Sequence, residues 1–188
     1  MQRFPLMPVF AAAAALTLLV ACYPAFNWRE VRPEGTALSL LLPCKPDQAK
    51  KTVLLGGKPT ELTLLGCDAG DITFAVAVAR LGSAQEVTPA LAQWQSAMLA
   101  NMKAGPIGAD VGTDAGAGTL VAPLKLPGAA VQPSALLVRA KGQRADGKAV
   151  SGHAAYFAQG SQVFQAVMYA DKIPPEVAET FFSSLKLE

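Results

Sequence analysis

From Ile72 to Ala79 the chain alternates without a break: Ile72, Phe74, Val76 and Val78 fall on one side, Thr73, Ala75, Ala77 and Ala79 on the other. A period of two predicts a β-strand, because successive side chains of a strand point to opposite faces. The first set is bulky and apolar, as a core face requires. The second is small, which suits a helix lying close on the sheet. A strand of this kind is expected to be covered on both faces.

The flanking sequence supplies partners for it. Ala37 to Leu42 is a continuous apolar run stopped by Pro43 and reads as a buried strand. Lys51–Leu55 and Leu62–Cys67 read as strands separated by Gly56-Gly57. Later, Ser134–Lys141, Val150–Ala158 and Gln162–Ala170 are strand-like. They are joined by an Asp146-Gly147 hairpin signal and a Gln159-Gly160-Ser161 turn, which predicts a three-strand antiparallel meander. Leu120–Leu126 reads as one further short strand.

Two helices are expected. Thr88-Pro89 opens the first, with Thr88 as its cap, Leu91, Trp94, Met98, Leu99 and Met102 along one face, and Gly105 as its stop. That Trp/Met stripe reads as core packing. Pro174-Pro175-Glu176 opens the second helix, which places Val177, Phe181 and Leu185 on one side and Glu176 and Glu179 near its positive end. The fold class is therefore α+β: an antiparallel sheet flanked by two helices, forming a single globular domain over residues 36–188.

The start of the chain follows another logic. Met1, Gln2 and Arg3 precede an apolar run, Val9–Val20, interrupted only by Thr17, and no acid appears before Glu30. The run is shorter than the ~20 residues of a membrane-spanning helix and has the length of a signal-peptide core. It ends in Leu19-Val20-Ala21-Cys22, which resembles the bacterial lipobox: an aliphatic residue, a permissive one, a small one, then cysteine. The resemblance implies a signal peptide over residues 1–21 and a diacylglyceryl group on the Cys22 sulfur, with palmitate-type acylation. It also implies an anchor strong enough to hold the protein at a membrane, because two acyl chains bind durably where one does not. Tyr23 stands after the cysteine where an Asp would signal inner-membrane retention. The implied location is the bacterial cell envelope, at the outer membrane and facing the periplasm. Residues 22–35 read as a lipidated tether. Its aromatic pair Phe26 and Trp28 is expected to pack against the edge of the domain.

The chain has three cysteines. With Cys22 assigned to lipid, Cys44 and Cys67 remain as an even pair in an oxidising compartment, which predicts one structural disulfide. Closing a loop of roughly twenty residues stabilises a fold by about 3 kcal/mol. There is no CxxC, and the one histidine, His153, is distant in sequence, so no metal site is expected.

Little catalytic chemistry is visible. GxSxG, HExxH and EF-hand spacings are missing, and His153 falls in a strand beside Ala155 and Phe157, as a packed or edge residue would. Asp68 and Asp71 flank a turn and are explained by it. Gly112-Thr113-Asp114-Ala115-Gly116-Ala117-Gly118 has the look of a phosphate loop without its terminal Gly-Lys-Ser/Thr, and reads as an ordinary loop. The net charge of +2 falls by one when Arg3 leaves with the signal peptide, and no basic run is interleaved with aromatics, so no nucleic-acid partner is expected.

The order of elements resembles small bacterial proteins of the PsbP-like fold. The likeness is carried by Leu38–Pro43, by the Thr88–Met102 helix, and by the closing run Val177, Ala178, Phe181, Phe182, Ser183, Ser184, Leu185, Lys186, Leu187. It implies a sandwich of sheet and helices and no shared catalytic set or cofactor. The expectation is a non-catalytic accessory or binding module whose partner is an envelope protein or a small apolar ligand. The alternative is a structural or assembly lipoprotein.

Overall fold

The computed structural model describes residues 25–105, 118–131 and 133–188. The signal-peptide segment, Cys22, and the glycine-rich stretch from Gly112 to Ala117 lie outside them.

The protein is α+β, with two antiparallel sheets and two α-helices among the described residues. Its strands are β1 (Arg29–Val31), β2 (Leu38–Leu42), β3 (Asp47–Leu55), β4 (Lys58–Ala69), β5 (Ile72–Arg80), β6 (Thr119–Pro123), β7 (Leu136–Gln143), β8 (Ala149–Gln159), β9 (Gln162–Ala170) and β10 (Lys186–Leu187). Helix α1 spans Val87–Asn101 and α2 spans Pro175–Ser183. The main sheet has seven strands in the order β3-β4-β5-β9-β8-β7-β6, and a small sheet has the order β1-β2-β10.

Strand β5 sits inside the main sheet, between β4 and β9. Its large face (Ile72, Phe74, Val76, Val78) joins β2, α2, Phe157 and Phe164 in one core. Its small face meets α1: Ala79 packs with Val87, Ala90 and Leu91 in a second core. The meander is also present as expected, with β7, β8 and β9 antiparallel in sequence order. The same division of faces continues along β8, where Phe157 points to the first core, and Ala154 and Tyr156 to the second.

The α1 side is tight because β7 and β8 carry glycine where the helix end approaches. A Cβ at Gly142 would collide with the Met102 carbonyl, whose oxygen accepts a hydrogen bond from Gln143 N at 2.6 Å. A Cβ at Gly152 would press into the Met98 and Met102 side chains.

Several expectations need correction. Leu38–Leu42 is buried as expected but lies outside the main sheet, because its backbone pairs with two very short strands, β1 and β10. Thr88 is not the cap of α1. A 3-10 turn, Ala84–Glu86, leads into the helix, and Glu86 takes the cap position with no side-chain capping bond. Its carboxylate turns back to accept from Gly82 N at 3.2 Å and to pair with Lys58. Pro89 then falls in the first turn, where a missing N–H costs nothing. The helix also stops before Gly105: Lys103 takes the left-handed conformation (φ 47°), and Ala104 N donates to Leu99 O at 2.9 Å.

The expected tether is shortened from its C-terminal side. Asn27 N donates to Pro43 O at 2.8 Å, and β1 pairs with β2. Phe26 and Trp28 stack on each other and meet Phe74 edge-on, with centroid distances of 6.4 and 5.9 Å to that ring. Burying aromatic surface against Phe74 draws this segment onto the fold, so the folded body includes residues from Phe26 and not only those from residue 36 on.

Candidate functional site

Cys44 and Cys67 form a disulfide with Cα atoms 6.1 Å apart. Cys44 follows β2 of the small sheet and Cys67 lies on β4 of the main sheet, so the bond ties the two sheets together. Asp68 and Asp71 belong to the neighbouring β4–β5 turn region, and Asp68 accepts a hydrogen bond from Thr73 Oγ1 at 2.6 Å. No group of three or more metal-ligating side chains occurs among the described residues.

His153 lies on β8 opposite Arg139 of β7 and Met168 of β9. It lines an open groove beside α2, with Arg139, Lys125, Leu137, Glu179, Phe182 and Ser183. Glu179 and Ser183 are the residue types a hydrolytic triad would use. His153 Nδ1 is nevertheless buried without a hydrogen-bond partner among the described residues, so no triad geometry links them. Burial, with the Arg139 charge adding to it, lowers the imidazole pKa to about 4. The ring is therefore neutral at neutral pH.

A stability effect follows. An unfolded histidine titrates near ~6.5. Between that value and about 4 the unfolded chain binds the proton more readily. Stability linked to His153 is then complete above pH ~6.5 and is lost as the pH falls toward 4. His153→Gln carries no such proton. The stability of the wild type relative to this variant should fall by at least about 1 kcal/mol between pH 7 and pH 4, read from urea midpoints. A constant difference across that range would contradict the neutral, buried assignment.

The most site-like cavity is a cleft of about 220 Å³ between α1 and the β3–β4 corner. Helix α1 supplies Gln93, Trp94, Ala97, Met98 and Asn101, the β3–β4 hairpin supplies Val53, Leu54, Leu55 and Leu62, and β9 supplies Gln165 and Tyr169. The helix spacing that puts Leu91 and Met98 into the core leaves Trp94 half-buried one turn away, at the wall of the cleft. Leu54 stands at the rim with 67% of its surface exposed. Its backbone oxygen accepts from Gln93 Nε2 at 3.3 Å, and Gln93 Oε1 accepts from Gly56 N at 2.6 Å, so Gln93 fastens the hairpin to the helix.

The floor of the cleft is polar and preorganised. Gln165 Nε2 donates to Tyr156 Oη at 2.9 Å, and the Tyr156 hydroxyl donates to Met98 Sδ at 3.1 Å. The Gln165 amide is thus held through its Nε2, at the base of the cleft. Burial pushes both the Tyr156 and Tyr169 phenols up, so neither carries charge at neutral pH. An uncharged, largely apolar cavity with an amide and a phenol at its base suits a small apolar molecule bearing one hydrogen-bonding group. Its volume lies below the ~300–1,000 Å³ common for drug-sized ligands, which limits the guest to one or two rings or a short chain.

The sequence pointed to Trp94 and Met98 as core packing. It did not point to Gln165, Tyr169 or the Val53–Leu55 edge. The available signal was Gln165 itself, a single polar residue inside the apolar run Val163–Val167. A separate depression near Glu34, Lys58, Arg80 and Glu86 is polar and solvent-facing, and Lys58 and Glu86 are already paired there.

No protein-family model matches the chain, and no curated protein matches it.

Proposed function

We propose that this protein is an exported envelope lipoprotein, anchored through lipid on Cys22, whose domain is a non-catalytic module that binds a small apolar ligand. The reading is carried by the α1–β3/β4 cleft, with apolar walls and a fixed, uncharged polar floor. Two further observations support it. The Leu19-Val20-Ala21-Cys22 segment fits a lipobox, and the Cys44–Cys67 disulfide fits an oxidising compartment outside the cytoplasm. Outer-membrane attachment facing the periplasm is part of the same proposal, resting on Tyr23 after the cysteine. A PsbP-like assignment is proposed on the sandwich of antiparallel sheet and two helices.

The cleft is tested with 1-naphthol, an aromatic probe of two fused rings that is uncharged at neutral pH and carries one hydroxyl. The account expects saturable one-to-one binding with a change in Trp94 emission. Ala97 is exposed on the wall of the cleft, so Ala97→Trp should fill the space while leaving the fold intact. Affinity should fall at least about tenfold, equivalent to about 1.4 kcal/mol. Equal binding by wild type and a folded Ala97→Trp variant would show that the probe sits elsewhere, and the assignment of this cleft would fail. The exposed Leu54 at the rim favours one second reading, in which the same edge docks an apolar segment of an envelope protein. Unchanged probe binding in Leu54→Asp together with loss of a cross-linked partner would favour it.

A further inference from the structure

The position of Phe26 sets how far the domain can stand from its anchor. Only Tyr23, Pro24 and Ala25 separate Cys22 from Phe26. Phe26 is fixed by its stack on Trp28 and its edge contact with Phe74, and the next residue is held by the Asn27–Pro43 hydrogen bond. Whatever path the intervening residues take, four residue steps span at most about 14 Å. The headgroup layer occupies roughly 5–8 Å of that.

We propose that the end of the sheet carrying Phe26, Trp28 and the Cys44–Cys67 disulfide rests at the bilayer surface, and that the opposite end points into the aqueous compartment. The proposal rests on the reading of Cys22 as the lipid-bearing residue. The chemistry of that end fits an interfacial position. Phe26 and Trp28 are half-buried aromatics, close in sequence to Tyr23, and such rings favour the boundary between headgroup and acyl chain. Gly70 of the β4–β5 turn lies beside the Phe26 ring, so this turn belongs to the same end. Charges there are mixed in sign and partly paired, as in Arg144–Asp171 and Lys148–Asp146, so an anionic surface does not repel it strongly.

The topology then fixes the rest. Strand β4 runs twelve residues from the turn after Leu55 to Ala69, a length of about 35–40 Å. The β3–β4 turn and Leu54 therefore stand far from the bilayer, and the mouth of the α1 cleft is reached from water and not from lipid.

The two tryptophans make this measurable. The full chain is expressed in a bacterium that processes lipoproteins. The mature protein is then placed in phosphatidylethanolamine–phosphatidylglycerol vesicles containing a lipid with a nitroxide on its headgroup. Trp94→Phe leaves Trp28 as reporter, and Trp28→Phe leaves Trp94, which lies on the other face of the sheet. Mass spectrometry of the N-terminal peptide establishes the lipid separately. With the lipid present, quenching of Trp28 should exceed that of Trp94 several-fold. Equal quenching of the two, or none, on lipid-bearing protein overturns the orientation and leaves the anchor standing. Absence of lipid on Cys22 overturns the anchor and the orientation with it.

Discussion

Phe74→Ala should lower the unfolding free energy by about 3–5 kcal/mol, the range seen when a fully buried phenylalanine is truncated and its site cannot collapse. Phe74 has no exposed surface. It stands at the junction of three segments distant in sequence. The Phe181 ring of α2 lies 5.4 Å from it edge-on, and Phe26 and Trp28 close over it from the chain start. The leucines of β2 fill the same core. Truncation therefore opens a cavity and also releases the Phe26–Trp28 segment. The melting temperature should drop by about 10 °C or more. Denaturant unfolding of wild type and variant, followed by Trp28 fluorescence in a Trp94→Phe background, reads both effects. A loss below about 1 kcal/mol would mean that the aromatic junction does not hold the first core together.

Replacing both cysteines, Cys44→Ser with Cys67→Ser, should cost about 3 kcal/mol. The bond closes a loop with a sequence separation of 23, and a loop of that size restricts the unfolded chain by about this amount. It also joins the small sheet to the main one, so separation of β2 from β4 becomes possible once it is gone. Chemical denaturation of the oxidised wild type against the double variant checks the magnitude. Near-identical midpoints would show that the strand pairings and the Phe74 core hold the two sheets without help. Single serine variants are less informative, since each leaves a free thiol able to pair elsewhere.

Much of the main sheet was legible in the sequence, because its strands carry local signals. The alternation at Ile72–Ala79 gave both the strand and the identity of its two faces, and the structure puts large residues toward α2 and small ones toward α1. Asp146-Gly147 and Gln159-Gly160-Ser161 marked the two turns of the meander. What was not legible depends on partners far away in the chain. Leu38–Leu42 looked like a main-sheet strand because an apolar run says that a strand is buried and not what it pairs with. Its partners β1 and β10 are three and two residues long, too short to show a period. Residues 22–35 looked like a tether because their prolines and charges are loop-like, although Phe26 and Trp28 were expected to pack on the domain edge, as they do. That the ring beneath them is Phe74, and that Arg29–Val31 pairs with β2, depends on distant partners that local pattern does not encode.

The cleft was legible only in its helical wall. Trp94 and Met98 follow from helix spacing, but the opposite wall comes from the β3–β4 hairpin and the floor from β9. That juxtaposition is set by where β3 and β9 stand in the sheet, on either side of the β4–β5 pair. Cys44 and Cys67 show the converse. Once Cys22 is assigned to lipid, simple parity pairs them, and the structure joins them.

The lipid anchor is the claim from which location, orientation and the direction of ligand access all follow. Its most direct measurement is metabolic labelling with radioactive palmitate of cells expressing the full chain or its Cys22→Ser variant, with the size of each product compared. The account predicts a labelled, shortened wild-type product and an unlabelled, uncleaved Cys22→Ser precursor. Equal labelling of the two, or a processed wild type that carries no label, would contradict it.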